Sequence, residues 1–338
     1  MRRAVLVVAL SVVGALLTGA ALAATSSPSR TADTELSLVA YSTPREAYAK
    51  LIPMFQKTTA GRDVDFKQSY GSSGEQTRAV KAGLETDVVA LSLAPDVDEL
   101  VSAGKVDANW KKQSYKGMVT NSVVVFVVRD GNPKKIKGWN DLLRPDVDVV
   151  TPNPFTSGGA RWNIMAAYGA WRKAGTTDKQ AQQNLLKLFR NVVVQDTSAR
   201  ASLNTFNSGK GDVLLAYENE ALFGRTQGLD LQFVIPKATI LIENPIAVVK
   251  SSPDKSAANA FLRFLRTPEA QQVFADNGYR PVVKSVENRN RKKFPQRPGL
   301  FTIDQLGLGG WEKVQKRFFD PKSGIMARIQ RQVGGSTG

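Results

Sequence analysis

Short apolar runs alternate with helix-like patterns along most of this 338-residue chain, and that alternation restricts the fold more than any other feature. Strands that alternate with helices form a mainly parallel sheet covered by helices, so we predict an α/β fold. After residue 34 the pattern contains no internal repeat and no low-complexity segment. The predicted strands are residues 36–41, 64–68, 88–93, 122–129, 147–151, 192–195, 213–216 and 246–249.

Four of the predicted strands lead into a short turn rich in Ser, Thr and Gly and then into an amphipathic helix. In the first turn Thr43 is the predicted helix cap, Pro44 suits the first helical position, and Glu46 has capping-box spacing. In the second turn Ser72 and Glu75 have the same spacing. The third turn contains Ser-Gly-Gly at 157–159, and the fourth contains Asp-Thr-Ser-Ala at 196–199.

The first turn of each following helix presents unpaired backbone N–H groups and the positive end of the helix dipole. Several such turns at the carboxyl ends of strands would form an oxyanion site. An ordinary cap explains any one of them, but paired glycines such as Gly158 and Gly159 are not needed in an exposed cap. Neither glycine-containing turn has the Gly-Lys-Ser/Thr of a Walker A loop.

The chain has no cysteine and no histidine. This excludes disulfides, thiolate nucleophiles, Ser-His and Cys-His dyads and the common zinc sites. Binding or carboxylate chemistry remains. The paired acids Glu218 with Glu220, or Asp96 with Asp98, leave an exported hydrolase open as an alternative, although no nucleophile–base pair accompanies them. We expect no catalytic residue, no metal and no cofactor.

The N-terminus has the pattern of a secretory signal, with Arg2 and Arg3, an apolar run over 4–17 and a small-residue cleavage site ending at Ala23. Residues 1–23 are therefore predicted to be removed, and 24–34 to form a flexible leader. Their removal takes away two arginines and lowers the formal charge from +16 to +14. We expect a periplasmic protein.

A basic field of this size favours anionic partners. The densest basic stretch contains Lys284, Arg289, Arg291, Lys292, Lys293 and Arg297. We interpret it as a solvated loop or a steering patch and expect no nucleic-acid partner, because no nucleic-acid-binding motif accompanies it. A secreted nucleic-acid-binding or surface-adhering protein stays open as an alternative.

Two places have the pattern of crossings between lobes, near residues 112–117 and 237–245. A chain that crosses twice builds one lobe from its two ends and the other from its middle. We therefore predict lobe I from 35–114 and 245–338, and lobe II from 115–244.

The chain resembles periplasmic sulfate- and thiosulfate-binding proteins of ABC importers over roughly residues 36–331. The most specific stretch is TPNPFTSGGARWN at 151–163. Supporting stretches are GSSGEQ at 71–76, WNDL at 139–142, GDVLLAYENEA at 211–221 and FTIDQLGLGGW at 301–311. The resemblance implies a type II periplasmic-binding fold, in which two α/β lobes joined by a two-segment hinge close on a dehydrated anion.

The resemblance also implies ligand contacts. Ser73, Ala199 and the Ser157-Gly158-Gly159 run match residues that donate hydrogen bonds in the family. At Ser42 relatives commonly have an Asp that donates through its backbone, and at Tyr217 they commonly have a Trp that donates through its indole. A phenol can also donate one hydrogen bond, but with a different reach.

The implied partners are sulfate or thiosulfate and the permease subunits of an importer, and the implied state is a monomer. A pocket of donors suits sulfate, which carries no proton, whereas hydrogen phosphate leaves its proton unmatched at a cost of about 1–3 kcal/mol. A phosphate receptor needs a carboxylate acceptor in the pocket, and none of the four turns clearly places one there. Asp196 is the exception, and we expect its side chain to cap backbone groups rather than face the anion. We expect Arg45 and Arg161 to brace the turns, and Glu218 and Glu220 to brace the hinge. Receptors for thiosulfate, molybdate or phosphate stay open.

Overall fold

A computed structural model describes residues 34–337, in which strands and helices alternate as the sequence predicts. The eleven strands of this part of the chain are β1 (Thr34–Tyr41), β2 (Val64–Gly71), β3 (Val88–Ala90), β4 (Met118–Arg129), β5 (Val149–Pro152), β6 (Val192–Asp196), β7 (Val213–Tyr217), β8 (Leu231–Val234), β9 (Thr239–Val248), β10 (Arg280–Pro281) and β11 (Leu300–Phe301).

Helices connect most of these strands. They are α1 (Arg45–Gln56), α2 (Ser73–Lys81), α3 (Ala94–Ser102), α4 (Gly158–Lys173), α5 (Asp178–Arg190), α6 (Ala199–Asn207), α7 (Glu218–Thr226), α8 (Lys255–Phe264), α9 (Pro268–Asp276), α10 (Lys284–Arg289), α11 (Gly310–Phe319) and α12 (Ile325–Val333). Four short 3-10 helices lie at Trp110–Lys112, Ser114–Gly117, Trp139–Leu143 and Asp304–Leu306.

The strands form one sheet in the order β2-β1-β3-β9-β4-β7-β5-β6. Both ends of this order are parallel, because β1 pairs with β2 and β3, and β5 pairs with β6 and β7, in the same direction. The two long strands β4 and β9 lie between these ends and pair antiparallel with each other and with their outer neighbours. Parallel strands that lead into helices bring their carboxyl ends to one edge of the sheet, where ligands bind in such folds.

The apolar sequence runs become the core. The strand β4 has ten buried residues among its twelve because helices or strands cover both of its faces, and parallel or central strands are apolar on both sides for that reason. The longest buried helix, α4, has 14 buried residues among 16 and packs against α5 and β9. Its small residues allow this close approach: a side chain at Gly169 would lie within 2.4 Å of the Phe301 ring.

All eight predicted strands are present, with shifted ends. The largest shift is in β9, which begins at Thr239 instead of residue 246. Three short strands, β8, β10 and β11, were not predicted. Thr34 was assigned to the leader but begins β1, whereas the predicted signal and the rest of the leader lie outside the described residues. The described residues pack as one unit, so the lobe boundaries at 114/115 and 244/245 stay predictions.

Candidate functional site

A small cavity lies where the carboxyl ends of several strands meet the first turns of the helices. The space open to the centre of a water molecule is about 10 Å³, close to the roughly 10–15 Å³ that one water needs. A space of this size excludes a solute as large as a sugar. Its lining residues are Tyr41, Ser42, Ser72, Ser73, Ser92, Ser157, Gly159, Ala199 and Tyr217.

The structure brings six of the seven residues predicted as ligand contacts into this one cavity. They come from all four predicted turns and from the end of β7: Ser42, Ser73, Ser157, Gly159, Ala199 and Tyr217. The seventh, Gly158, does not line the cavity. A side chain placed there would lie 2.0 Å from Ser92 Oγ and 2.2 Å from Leu93. The glycine at 158 allows β3 and its following turn to pack directly against the start of α4.

Three helices begin at the cavity wall. The first residues of α2, α4 and α6 are Ser73, Gly158 and Ala199, and the residue before each has an extended backbone. The N–H groups of a first helical turn have no acceptor within their own helix, and the helix dipole adds partial positive charge there. Three such termini around one cavity can bind an anion without any cationic side chain.

Two predicted capping boxes are absent. Pro44 and Ser72, which precede α1 and α2, make no side-chain cap bond. The Thr43 hydroxyl instead contacts the Tyr279 hydroxyl at 2.8 Å, and Glu46 pairs with Arg200. The side chains of Thr43 and Glu46, which the local sequence assigns to a helix cap, therefore form tertiary contacts. A capping box does form at Thr177 with Gln180 in α5, which is remote from the cavity.

Four buried hydroxyls at the cavity have no hydrogen-bond partner among residues 34–337. They belong to Tyr41, Ser72, Ser92 and Tyr217, and all four line the cavity. The Tyr41 hydroxyl lies near Thr43 and Tyr279, and the Tyr217 hydroxyl near Ser92 and Asn244, but these contacts fall short of hydrogen-bond geometry. A buried polar group without a partner costs about 1–3 kcal/mol. Four of them at one place indicate a polar ligand.

Both tyrosines act as neutral donors at physiological pH. Burial raises the pKa of Tyr41 and of Tyr217 well above the ordinary value, because the charged phenolate would be desolvated. The Ser73 hydroxyl is already engaged: it donates to Asp96 Oδ2 at 2.5 Å and accepts from Ser92 N–H at 3.0 Å. The backbone N–H of Ser73 is therefore the group left for a ligand.

Buried ion pairs surround the cavity but do not enter it, and we call them the bracing pairs. Arg161 in α4 binds Asp96 in α3 at 3.2 Å, and Arg280 binds Glu218 at 2.7 Å. Arg200 in α6 binds both Glu46 in α1, at 2.7 Å, and Glu220 in α7, at 2.8 Å. The cavity itself is lined by no ionised side chain of the described residues.

Burial and pairing shift the bracing acids in different directions. Burial raises the pKa of Asp96, and the charge of Arg161 opposes that shift. Burial likewise raises the pKa of Glu220 and Glu218, against the effect of Arg200 and Arg280. Glu46 is less buried, and Arg200 outweighs the burial effect so that the pKa of Glu46 is lowered.

The predicted bracing residues behave unequally. Arg161 lies behind the third turn, where it also donates to the Pro154 carbonyl at 2.9 Å. Arg45 is exposed and stacks on the Tyr70 ring, 4.7 Å from its centre, so it braces no turn directly. Asp196 does not line the cavity, but its partners differ from the prediction: it accepts from the hydroxyls of Ser202 and Thr205, both at 2.8 Å, and not from backbone groups.

The paired acids do not form a catalytic site. Glu218 and Glu220 bind different arginines, Arg280 and Arg200. Asp96 binds Arg161, and Asp98 binds Trp110 and Lys111. No group of three or more acidic residues that could hold a metal occurs within residues 34–337. The carboxylates therefore serve in ion pairs and hydrogen bonds.

A backbone contact joins two of the turns whose residues line the cavity. Gly74 N–H donates to the Thr156 carbonyl at 3.0 Å, which joins the second turn to the third. A side chain at Gly74 would lie 2.7 Å from that carbonyl oxygen, so glycine permits the contact. Thr156 also reaches the fourth turn, because its hydroxyl donates to the Thr197 carbonyl at 2.9 Å.

Sequence reasoning missed Tyr41, Ser72 and Ser92 as lining residues. Ser72 was assigned to a cap and Tyr41 to the strand β1. Ser92 follows β3, in a turn that was not recognised because the predicted strand extended to residue 93. The sequence did contain a signal for this turn: Ser92 is a polar residue inside an apolar run, and Pro95 follows it at the start of α3.

An α/β fold with helix N-termini around a small cavity that no ionised side chain of the described residues lines defines a receptor for a small solute. The family model for bacterial extracellular solute-binding proteins matches residues 36–280. The chain belongs to the bacterial extracellular solute-binding protein family and has the type II periplasmic-binding fold. Its relatives are binding proteins of this class and not enzymes.

Individual relatives cover most of the chain. The sulfate-binding protein of Synechococcus elongatus is 43% identical over 310 residues, 89% of this chain and 88% of the relative. The solved structure of the sulfate-binding protein SubI from Mycobacterium tuberculosis H37Rv is 42% identical with a TM-score of 0.82, and the match covers 85% of this chain and 100% of that one. The thiosulfate-binding protein of Escherichia coli is 38% identical over 300 residues, 85% of this chain and 88% of the relative.

Proposed function

We propose that this protein binds sulfate in the cavity and delivers it to the membrane subunits of an ABC importer. The observation that carries the proposal is the uncharged lining, in which backbone N–H groups and hydroxyls meet and four buried hydroxyls have no partner among residues 34–337. Relatives that are 43% identical over most of the chain are named sulfate-binding proteins.

The proposed ligand contacts follow from the positions of the donors. Backbone N–H groups of Ser42, Ser73, Gly159 and Ala199 would bind the anion oxygens from the cavity lining. The resemblance adds the N–H group of Gly158, a residue that does not itself line the cavity. The hydroxyls of Ser157 and Tyr217 would add two more donors. Ser157 precedes α4 but makes no cap bond to it, which leaves its hydroxyl for the ligand.

The protein should discriminate against hydrogen phosphate because that ion carries a proton and sulfate does not. Sulfate accepts hydrogen bonds on every oxygen, whereas hydrogen phosphate must also donate one. Asp96 accepts a hydrogen bond from the lining residue Ser73, and its carboxylate is also paired with Arg161. An unmatched phosphate proton would cost about 1–3 kcal/mol, or roughly tenfold to hundredfold in affinity.

Thiosulfate is the second candidate, because a relative at 38% identity is named a thiosulfate-binding protein. Tyr217 is the residue on which the preference would depend, since its phenol stands where the resemblance places an indole donor.

Calorimetric titration with sulfate, thiosulfate, molybdate and phosphate tests the proposal directly. Sulfate should bind most tightly, and Ser157→Ala should weaken it about tenfold to hundredfold, the range of one hydrogen bond to a charged group. Ser202→Ala is the matched control, because Ser202 is a buried serine that binds Asp196 outside the cavity. Tighter binding of phosphate or molybdate than of sulfate would contradict the proposal.

We further propose that residues 35–114 with 245–338, and residues 115–244, move as two lobes that close on the anion. The protein would be periplasmic after removal of residues 1–23. No helix within residues 34–337 has the length and apolar character to cross a bilayer. N-terminal sequencing of the exported protein should begin at residue 24, and retention of the first 23 residues would refute cleavage.

A further inference from the structure

Ser92 belongs to a fifth strand-to-helix turn that opens on the same cavity. The turn lies between β3, which ends at Ala90, and α3, which begins at Ala94. Ser92 is 1% exposed and lines the cavity beside Ser73 and Tyr217. The four turns predicted from the sequence do not include it.

The backbone of Ser92 is held from three sides. Its N–H donates to Ser73 Oγ at 3.0 Å. Its carbonyl accepts from Trp162 Nε1 at 2.8 Å and from Asn244 Nδ2 at 3.0 Å. These partners lie in α2, α4 and β9, so Ser92 occupies a position that three separate elements define. A group fixed in this way meets a ligand with little loss of freedom on binding.

The side chain of Ser92 is not used by these contacts. Its Oγ is buried and has no hydrogen-bond partner among the described residues. It lies where a side chain of Gly158 would be, 2.0 Å from that position, and thus against the first turn of α4. The helix dipole makes this a favourable place for an anion, and a donor here would reach the same ion as the N–H groups of α4.

The neighbouring groups decide where the Ser92 proton points. The Tyr217 hydroxyl lies close to Ser92, and burial keeps this phenol protonated, so it is a weak acceptor. The Ser73 oxygen already accepts from the Ser92 N–H. An anion oxygen is a much stronger acceptor than either, because hydrogen bonds to charged groups are roughly twice as strong as neutral ones.

We propose that Ser92 is a ligand-binding residue, which donates its hydroxyl proton directly to the oxyanion from this fifth turn. The proposal rests on the proposed function, since it assigns Ser92 to the same anion. A purely structural role for the hydroxyl is the competing explanation, and the two explanations differ in the sign of a measurable effect.

The test is Ser92→Ala, measured by sulfate titration and by thermal unfolding with and without sulfate. We expect sulfate affinity to fall about tenfold to hundredfold. Without sulfate the midpoint of unfolding should stay the same or rise, because the substitution removes a buried polar group that has no protein partner. The sulfate-induced rise in that midpoint should shrink.

Ser202→Ala is the matched control, and we expect it to lower the unfolding midpoint without lowering sulfate affinity. Its hydroxyl is fully buried and binds Asp196 at 2.8 Å, so its loss should lower the unfolding midpoint and leave sulfate affinity within about twofold. Ser92 would be refuted as a ligand if Ser92→Ala binds sulfate within about twofold of the unsubstituted protein. A loss of affinity that accompanies a lower midpoint without sulfate would assign Ser92 a structural role and also refute the proposal.

The unsubstituted protein separates the two possible failures. If it binds sulfate and Ser92→Ala does so equally, the assignment of Ser92 fails alone. If it does not bind sulfate at millimolar concentration, the proposed function fails and the assignment of Ser92 fails with it.

Discussion

Tyr217 lines the cavity, whereas the next residue, Glu218, binds a buried arginine. The same change of chemistry over one or two residues occurs from Ala199 to Arg200 and from Gly159 to Arg161. The cavity lining presents neutral donors, and the bracing pairs bind one another outside it. Charged side chains thus bind one another outside the cavity, while the cavity presents backbone dipoles and hydroxyls. A neutral lining binds an anion without the large cost of desolvating a cationic side chain.

Placing a charge in the cavity should have the largest effect. Ser157→Asp puts a carboxylate beside the anion, and two like charges about 4 Å apart repel by about 4 kcal/mol near a protein surface. Sulfate affinity should fall about a thousandfold or more. Ser157→Asn, which has a similar shape and no charge, is the control. A titration in which the Asp and Asn variants bind equally would show that charge is tolerated in the cavity.

Breaking a bracing pair should have the next largest effect, on stability. Arg161→Met leaves Asp96 buried without its partner, which should lower the free energy of unfolding by about 3–5 kcal/mol. Urea denaturation measures the loss. The double variant Asp96→Asn with Arg161→Met should recover much of it, because no buried charge remains unpaired. A double variant less stable than Arg161→Met would contradict this explanation, because Asp96 would then stabilise the fold even without Arg161.

Removing one neutral donor should have a smaller effect, on affinity. Tyr217→Phe deletes a single hydroxyl from the lining and should weaken sulfate binding about tenfold. Tyr168→Phe deletes a hydroxyl that binds Asp178 at 2.6 Å away from the cavity, so its affinity should be unchanged. Equal affinities for the two variants would remove Tyr217 from the proposed ligand contacts.

Replacing Glu46, the partly exposed member of the bracing pairs, should have the smallest effect on stability, and that effect should depend on pH. The pKa of Glu46 is lowered in the folded protein from its ordinary value of 4.5. Its contribution to stability is therefore present above that value and lost as the pH falls through the lowered pKa. The stability difference between the unsubstituted protein and Glu46→Gln should vanish in acid. A difference that persists at pH 2 in denaturant titrations would contradict this assignment.

The repeated strand-to-helix pattern was sufficient to predict the fold class and the eight strands of the main sheet order, because most of these strands are short apolar runs. It missed the start of β9, where Pro245 suggested an interruption. Proline has no N–H to donate, and it is tolerated there because the pairing of β4 with β9 shifts register between Met118 and Thr120, next to the pair of Met118 with Pro245. The Pro245 carbonyl still accepts from Leu91 N–H. The two-residue strands β10 and β11 are too short to leave a periodic signal.

The candidate site was predictable where backbone groups carry it, because a turn before a helix places its N–H groups by geometry alone. Side chains were less predictable. Thr43 and Ser72 have the spacing of caps, yet Thr43 bonds to Tyr279, more than 200 residues away in sequence, and the Ser72 hydroxyl is buried at the cavity. Such choices depend on residues that are distant in the sequence, and no local pattern contains them. Ser92 was missed for a local reason, because the predicted strand extended to residue 93 and covered the turn after β3.

The hydrogen bond from Gly74 to Thr156 bears on kinetics as well as on structure. This contact joins the turns that supply Ser73 and Ser157 to the cavity lining, so an ion that leaves by parting these two turns would first have to break it. The escape rate of every anion that leaves in this way would then share one upper limit, the rate at which the turns part. Affinity differences among such anions would appear in how often each one leaves once the way is open.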